Sequence, residues 1–290
     1  MQKVNYLLAL HTVNGLGAVR LNILLNYFTD PQLIWEARES ELQGLRIPKS
    51  VIQNLVQVRK QLDPENYVHS LIKRGIKWVT ISDNDYPKLL KQLYDPPVVL
   101  YYKGEILPSD ERSIAIVGTR QITSYGRFVT EKFTKELVDY GFTIVSGLAR
   151  GVDTQAHLAT IKNNGRTVAV FGGGLNNIYP PENSRLAEEI INGFGAVISE
   201  FPPDASSLPG NFPMRNRIIS GLSLGVVVAE AALNSGSLIT AKLALEQGRE
   251  VFAIPGPINS ALSQGPIGLI REGAKIVSET SDILIELGVN

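Results

Sequence analysis

From residue 113 onward, short apolar runs alternate with longer amphipathic segments and glycine-rich turns. The apolar runs are rich in β-branched residues and have no polar face, which predicts strands buried on both sides of a sheet. The predicted strands are Ile114–Val117, Thr143–Val145, Thr167–Phe171, Ala196–Ser199, Val226–Ala229 and Glu250–Ile254. The predicted helices are Tyr125–Asp139, Thr154–Lys162, Ser184–Ile191, Met214–Ser220, Leu238–Glu246 and Ile267–Glu272. This alternation predicts an α/β fold with a doubly wound parallel sheet of the extended Rossmann-like type.

Residues 1–65 have a different pattern and predict a small all-α domain of short helices. Gly15 and Gly17 separate two apolar stretches, and glycine permits the positive φ angles of a tight hairpin. The pair Asp30-Pro31 predicts a helix start with proline at the first position. The pattern resembles a helix-hairpin-helix or SAM-like module, whose hairpin offers backbone N–H groups to phosphate. A plain helical packing domain explains the same residues equally well.

The second predicted domain covers residues 66–290, and residues 66–110 are its N-terminal extension. The extension predicts one helix at Tyr67–Arg74 and a strand at Lys77–Ile81. Asp95-Pro96-Pro97 then leads into a second strand at residues 98–102.

Composition narrows the class of protein. Apolar residues make up 44% of the chain, which is typical of a folded protein. The 28 Lys and Arg residues balance the 28 Asp and Glu residues, which excludes a polycation that coats nucleic acid but not a local basic patch. The absence of cysteine excludes disulfides and cysteine-based zinc sites, and the three histidines lack metal-ligand spacing. We expect a cytoplasmic protein, because no membrane span or signal peptide is recognisable.

The turns after the predicted strands carry the candidate chemistry, because ligands of open parallel sheets bind beyond the carboxyl ends of the strands. Glycine lets backbone N–H groups approach an anion, and arginine offers phosphate a planar fork of donors. The candidate phosphate-binding residues in these turns are Gly118, Thr119, Arg120, Ser146, Gly147, Arg150 and Gly173. Tight turns need glycine for geometry alone, but the whole set together with its arginines favours phosphate.

Two helix starts extend this set. Arg215, Asn216 and Arg217 follow Phe212, and on a polynucleotide arginine pairs with phosphate while an aromatic ring stacks on a base. The alternative is a solvated helix start whose arginines pair with Glu200 or Glu230. The second start, at residues 234–242, is rich in small donors and has Lys242 nearby, which also suits phosphate.

Several enzyme and cofactor motifs are absent or out of context. No G-x-G-x-x-G follows the first strand of the sheet and no P-loop is present, so we expect no NAD, FAD or other cofactor. Residues 221–225 match the hydrolase elbow G-x-S-x-G, which needs a strand before it and a helix after it. Here the reverse order is predicted, so we interpret this segment as a helix stop and turn.

Four isolated acid–base residues also have a structural explanation. Asp153 suits a helix N-cap, and His157 suits a buried, hydrogen-bonded histidine. Glu200 and Glu230 each end an apolar strand, where a carboxylate can accept N–H groups of the following loop. The sequence therefore predicts no catalytic residue.

The motifs together resemble the bacterial DNA processing protein A family over about residues 68–280. The matching segments are Val117–Arg120, Val145–His157, Gly172–Gly174, Ser199-Glu200, Phe212–Gly221, Glu230–Ala241 and Ile254–Gly256. The resemblance implies a homodimeric, non-enzymatic recombination mediator. Such a protein binds and protects single-stranded DNA, displaces single-strand-binding protein and loads the RecA recombinase during natural transformation.

The resemblance also implies a DNA pocket. Carried over residue by residue, it comprises Gly118, Thr119, Arg120, Ser146, Gly147, Arg215, Asn216 and Arg217, with Arg150 and Lys242 at the rim. Many members of the family continue into a C-terminal winged helix, and we expect none after the predicted helix Asp282–Leu287.

Two alternatives remain from other classes. One is a Rossmann-type nucleotide phosphoribohydrolase or nucleotide-signal-binding protein. Those hydrolases carry a P-G-G-x-G-T…E signature, from which Gly172-Gly173-Gly174-Leu175-Asn176 departs. The other is a protein-interaction scaffold, which the arginine-bearing turns disfavour.

Overall fold

The computed structural model describes residues 2–289 and contains two compact units. The first unit runs to Asn84 and also includes Tyr94–Tyr101. The second consists of Asp85–Leu93 and the chain from Tyr102 onward. The domain boundary expected near residue 65 falls inside the first unit and stays a prediction.

Short helices dominate the first unit, as expected. Asp30 caps the helix Pro31–Glu36 by accepting the N–H of Gln32 at 2.9 Å, which confirms the helix start predicted there. Of the two hairpin glycines, only Gly15 takes a positive φ (84°), while Gly17 is the N-cap of the helix Ala18–Phe28. The helices are α1 (Gln2–His11), α2 (Ala18–Phe28), α3 (Pro31–Glu36), α4 (Glu39–Gln43), α5 (Lys49–Gln61) and α6 (Pro64–Lys73). Strand β1 spans Lys77–Thr80, and β2 (Val99–Gly104) begins in this unit.

The second unit is built on seven parallel strands. They are β3 (Ser113–Val117), β4 (Thr143–Ser146), β5 (Thr167–Val170), β6 (Gly195–Ser199), β7 (Gly225–Val228), β8 (Glu250–Ala253) and β9 (Lys275–Ile276). Their order in the sheet is β6-β5-β4-β3-β7-β8-β9. All six strands predicted after residue 113 are confirmed, and their side chains are buried on both faces except at Glu250. The sequence did not predict β9, whose two side chains are both exposed.

The strand order reverses beside β3. Strand β3 pairs with β4 on one side and with β7 on the other, with Ala115 opposite both Val145 and Val226. From β3 the chain adds strands outward to β6, and then returns to add β7, β8 and β9 on the opposite side. Such a switch point leaves a crevice at the carboxyl ends of the two central strands, where open α/β sheets bind ligands.

Helices connect the strands, and Phe133 and Leu137 of one of them pack with Ile114, Ile116 and Ile144 of the sheet in a common core. The helices of this unit are α7 (Lys88–Lys91), α8 (Ser124–Asp139), α9 (Val152–Lys162), α10 (Ser184–Glu189), α11 (Asn211–Leu222), α12 (Gly236–Glu246), α13 (Gln264–Arg271) and α14 (Thr280–Glu286).

Most of the predicted helices begin one to three residues before the expected position, and two of these differences matter for the site. The N-cap of α9 is Gly151 with φ of 79°, so Asp153 lies inside the helix and the N-cap assigned to it was wrong. Helix α11 begins at Asn211, three residues before Met214, and tolerates Pro213 because the first turn needs no N–H donor there.

The segment that matches the hydrolase elbow lies between α11 and β7, so a helix precedes it and a strand follows it, as predicted. The buried hydroxyl of Ser223 donates to the carbonyl of Ile219 at 2.9 Å. No helix within residues 2–289 has the length and apolar character to cross a membrane. In the same range, the structure contains no cluster of His, Asp and Glu side chains suited to a metal ion.

Candidate functional site

A cavity of about 740 Å³ opens at the switch point, beyond the carboxyl ends of β3 and β7. Its walls come from the β3–α8 loop and from the first turns of α9, α11 and α12. The main lining residues are Gly118, Thr119, Arg120, Ala149, Asp153, Tyr179, Phe212, Arg215, Asn216, Ile219, Asn234, Ser235, Gly236, Ser237, Thr240 and Leu262.

The loop after β3 presents Arg120 at this cavity. A Cβ atom on Gly118 would lie 2.6 Å from Cγ2 of Val152, so only glycine lets the loop pass this close to α9. Thr119 is buried, and its N–H donates to the carbonyl of Glu230 at 2.7 Å. These contacts fix the backbone, while the Arg120 side chain is exposed, with its guanidinium carbon 5.6 Å from the centroid of the Phe212 ring.

Arg215 places a second guanidinium near Phe212, with its carbon 6.0 Å from the ring centroid. The side chain is buried, and Nη1 donates to the carbonyls of Gly147 and Val170 at the ends of β4 and β5. Burial lowers the pKa of Arg215 to about 10, with Asp153 opposing this effect and Arg120 adding to it. Arg215 therefore remains a cation at neutral pH, with a position fixed by the sheet.

Asp153 supplies the carboxylate of the cavity. Its Oδ2 accepts the N–H groups of Gly147 at 3.2 Å and Ala149 at 3.4 Å. Burial raises the pKa of Asp153 to about 6, although the positive charge of Arg215 and the two N–H donors act in the opposite direction. The carboxylate thus holds the β4–α9 loop and moderates the charge of Arg215.

Two predicted residues lie in the framework behind the cavity instead of in its lining. The buried hydroxyl of Ser146 donates to the carbonyl of Ile116 at 2.7 Å, joining β4 to β3. The carbonyl of Gly173 accepts the hydroxyl of Ser199 at 2.7 Å, and a Cβ atom on Gly173 would collide with Ser207.

The predicted cations also separate into two groups. Arg120 and Arg215 line the cavity, and Arg150 lines a small recess beside it while pairing with Glu182 at the surface. Arg217 instead forms an ion pair with Glu200 in which both side chains are about nine-tenths buried. The alternative interpretation of this helix start was right about the pairing with Glu200 and wrong about a solvated helix start. Lys242 is exposed on α12 outside the cavity lining.

The remaining acid–base residues have structural partners. Glu230 accepts both the N–H and the hydroxyl of Thr123, at 3.1 and 2.6 Å, and so holds the start of α8. Nδ1 of His157 lies 2.7 Å from the hydroxyl of Thr167, which itself donates to Ile144, so Nδ1 carries the ring proton. Burial lowers the pKa of His157 to about 3, and the predicted buried, hydrogen-bonded histidine is confirmed.

The small donors at residues 234–242, which the sequence had favoured for phosphate, do line the cavity, but sequence reasoning missed the apolar part of the lining. Ile219 lies in a segment that was selected for its arginines, Leu262 lies in a segment without a motif, and only the fold brings the two side chains to the cavity. Thr240 had a usable signal, because it lies four residues after Gly236 and therefore on the same face of α12.

The fold and cavity define a class: an α/β protein whose parallel sheet carries, at its switch point, a groove with two guanidinium groups around an aromatic ring. Such a groove can hold phosphate beside a stacked planar group. Comparison with known proteins gives the family. The chain belongs to the DNA recombination-mediator protein A family, whose model matches residues 77–288.

Individual relatives agree with this assignment. The DNA processing protein DprA of Bacillus subtilis is 50% identical over 216 residues, covering 74% of this chain and 72% of that protein. The crystal structure of DprA from Streptococcus pneumoniae is similar with a TM-score of 0.84 and 37% identity, over 97% of both chains. DNA processing protein A from Helicobacter pylori, solved to describe its single-stranded DNA binding mode, is similar with a TM-score of 0.64 and 31% identity, over 73% of this chain and 95% of that one.

Proposed function

We propose that this protein is a recombination mediator that binds single-stranded DNA in the cavity at the switch point. The observation that carries the proposal is the arrangement of Arg120 and Arg215 around Phe212. The guanidinium groups neutralise phosphates, and the ring stacks on an unpaired base. A base in a duplex is already stacked and paired, so this arrangement favours single strands.

The relatives support the same function. The Helicobacter pylori protein binds single-stranded DNA, and the matching family consists of recombination mediators. The shared fold would place a single strand of DNA at the carboxyl ends of the β-strands in this chain as well. Net charge is zero, so binding depends on the local charge of the cavity and not on the whole surface.

The test is fluorescence anisotropy of a labelled oligonucleotide, single-stranded and duplex, titrated across salt concentrations. We expect preferential binding to the single strand, with an affinity that falls as salt concentration rises. An Arg120→Ala variant should bind about tenfold more weakly, and the slope of its log affinity against log salt concentration should be smaller in magnitude by about 0.7. Arg185→Ala is the control, because that arginine is exposed on α10 and pairs with Glu189. Equal affinity for duplex, or no effect of Arg120→Ala, would contradict the proposal.

The finer role is part of the proposal. The protein, as a homodimer, protects incoming strands during natural transformation, displaces single-strand-binding protein and loads RecA. A RecA filament assay on strands coated with single-strand-binding protein tests loading, and sedimentation analysis tests the dimer. Faster filament growth is expected with the wild-type protein and not with Arg120→Ala.

We also propose that no substrate is turned over at this site. Asp153 and Glu230 are engaged by loop N–H groups, and Ser223 is buried with its hydroxyl bonded to Ile219. Incubation with nucleoside monophosphates tests this directly. Release of a free base by the wild-type protein would overturn the proposal in favour of a phosphoribohydrolase.

A further inference from the structure

The loop between β4 and α9 contains a leucine in a backbone conformation that leucine rarely adopts. Leu148 has a φ of 56°, in the left-handed region that crowds the Cβ atom of an L-residue against the backbone. Its side chain is fully buried. Thr29, Arg46 and Asn164 also take a positive φ, but these three residues are exposed. The contacts around Leu148 therefore have to hold it in this conformation, and residues held in this way concentrate at functional sites.

The peptide groups on either side of Leu148 are both bound to charged side chains of the cavity. The carbonyl of Gly147, which precedes Leu148, accepts Nη1 of Arg215. The N–H of Ala149, which follows Leu148, donates to Oδ2 of Asp153 at 3.4 Å. The backbone angles of Leu148 set the orientation of one peptide group relative to the other. The left-handed conformation therefore lets the loop contact the buried cation and the buried carboxylate at the same time.

Asn183 binds the same loop from a distant part of the chain. It is buried at the end of a short 3₁₀ helix (Pro181–Asn183) that precedes α10. Its Nδ2 donates to the carbonyl of Leu148 at 2.8 Å and to the hydroxyl of Thr154 at 2.9 Å. That hydroxyl donates in turn to the carbonyl of Ala149 at 2.7 Å. One side-chain amide thus fixes the peptide group after Leu148 directly, and the next peptide group through Thr154.

The segment that carries Asn183 also borders the cavity. Tyr179 lines the cavity, with its ring centroid 6.1 Å from that of Phe212. Glu182 pairs with Arg150 at the surface, so the segment is attached to the β4–α9 loop at a second place. Solvent screens this exposed ion pair. The buried contact of Asn183 is therefore the stronger of the two attachments.

We propose that Asn183 is a positioning residue for the cavity, because it holds Leu148 in the left-handed conformation and so fixes the carbonyl that orients Arg215. This rests on the proposed function in so far as Arg215 contacts DNA. Asn183 lies outside the cavity lining and needs no contact with DNA. Without its amide, Leu148 relaxes to a negative φ and the carbonyl of Gly147 turns away. Arg215 then loses one of the two carbonyls that fix its guanidinium.

Asn183→Leu is the first test variant, because leucine has nearly the same volume and no amide donor. We expect affinity for a single-stranded oligonucleotide to fall about tenfold. The slope of log affinity against log salt concentration should become smaller in magnitude by about 0.7, the contribution of one phosphate contact. A loss of stability alone would leave the slope of the folded protein unchanged.

The matched control is Asn163→Leu, at the opposite end of α9 from the cavity. Nδ2 of Asn163 donates to the carbonyl of Ala159 at 2.7 Å, so the variant removes the same kind of hydrogen bond outside the cavity lining. It should bind the oligonucleotide with the affinity and the salt slope of the wild type.

The second test adds Leu148→Gly to the Asn183→Leu variant. Glycine adopts the left-handed conformation without a steric penalty, so the loop no longer needs Asn183 to hold it. We expect the double variant to bind within about threefold of the wild type, the remaining loss reflecting the greater backbone freedom of glycine. Its stability should be lower than that of Asn183→Leu, because a buried leucine side chain is lost. Affinity and stability then change in opposite directions, which a purely structural role of Asn183 does not predict.

Anisotropy below the unfolding temperature of each variant, together with urea denaturation, decides between the outcomes. If the wild type binds the oligonucleotide and folded Asn183→Leu binds it with the same affinity and slope, the positioning role is wrong and the proposed function stands. A double variant that binds no better than Asn183→Leu would also overturn the role of Leu148 in this inference. Asn183→Ser, whose side chain is too short to reach both acceptors, replaces the leucine variant if that variant does not fold.

Failure of the proposed function leaves a separate test of the positioning role. If the wild type does not bind the oligonucleotide, ¹⁵N NMR of the protein without DNA reports on the loop. The Nε–H signal of Arg215 should shift in Asn183→Leu and return towards its wild-type position in the double variant. It should not shift in Asn163→Leu. An unchanged Arg215 signal in Asn183→Leu would overturn the inference.

Discussion

At the scale of single residues, the site depends on a glycine, Gly147, that leaves room for two charged side chains. Arg215 and Asp153 both occupy space next to Gly147 that a Cβ atom would take, at 2.5 Å from Nη1 and 2.7 Å from Oδ2. The carbonyl of Gly147 accepts from the first of these side chains and its N–H donates to the second. Glycine at this position therefore lets a buried cation and a buried carboxylate share one turn.

Gly147→Ala should displace Arg215 and weaken single-strand binding. We expect at least a tenfold loss of affinity and a fall of about 2 kcal/mol in the free energy of unfolding, because the methyl group overpacks the turn. Anisotropy and urea denaturation measure the two effects. Gly268→Ala is the control, since Cβ has open space there and alanine favours a helix. An unchanged affinity in Gly147→Ala would show that Arg215 does not contact DNA.

The raised pKa of Asp153 predicts that the stability of the protein depends on pH. Its pKa is raised to about 6 in the folded protein, so the native state binds this proton more tightly than the unfolded chain, whose reference pKa is 3.8. The contribution of Asp153 to stability therefore falls as pH rises from about 4 to 6. We therefore expect the unfolding free energy of the wild type to fall relative to that of Asp153→Asn as the pH rises over this range. Urea denaturation at pH 4.5 and 7 measures it, and a constant difference would refute the shift.

At the scale of elements, a carboxylate from one loop holds the start of a distant helix. Glu230, beyond β7, accepts the N–H and hydroxyl of Thr123 at the N-cap of α8. Gly126 in the first turn of α8 leaves the space that this carboxylate fills. The contact joins the two loops that border the cavity.

Glu230→Ala should destabilise the protein without removing a DNA contact. Two hydrogen bonds to a buried carboxylate are lost, so we expect the unfolding free energy to fall by about 2 to 4 kcal/mol. Glu182→Ala serves for comparison, because its pair with Arg150 lies at the surface, where solvent screens the interaction, and its loss should cost much less stability. Chemical denaturation compares the two variants, and equal losses would mean that Glu230 does not hold α8.

The sequence was sufficient to predict most of the helices and strands, but it predicted the candidate site only in part. Strands and helices follow from apolar periodicity and turn residues, which are local properties, and so the order of the elements in the second unit was predicted except for the short elements α7 and β9. Arg217 shows the limit, because its neighbour Arg215 has the same local pattern and only the packing pairs Arg217 with Glu200.

At the scale of the whole molecule, the topology of the sheet brings positive charges together at one cavity, which the composition of the chain does not reveal. The chain has no net charge, yet the reversal of strand order brings Arg120 and the start of α12 to one cavity from positions over a hundred residues apart. Arg215 reaches the same cavity from α11. A neutral protein can therefore bind a polyanion at one place and leave the remaining surface without affinity for it.

The gathering of positive charge at the cavity predicts which arginines determine how strongly DNA binding depends on salt. Arg120 faces the cavity, so Arg120→Ala removes a phosphate contact and lowers the slope by about 0.7, with little change in stability. Arg217 is neutralised by Glu200, so Arg217→Ala should leave the slope unchanged and lower the unfolding free energy by about 3 kcal/mol, because Glu200 loses a buried partner. Salt titrations of both variants, below their unfolding temperatures, distinguish the roles. A reduced slope in Arg217→Ala would mean that DNA draws this arginine away from Glu200, and the cavity would then extend beyond its present lining.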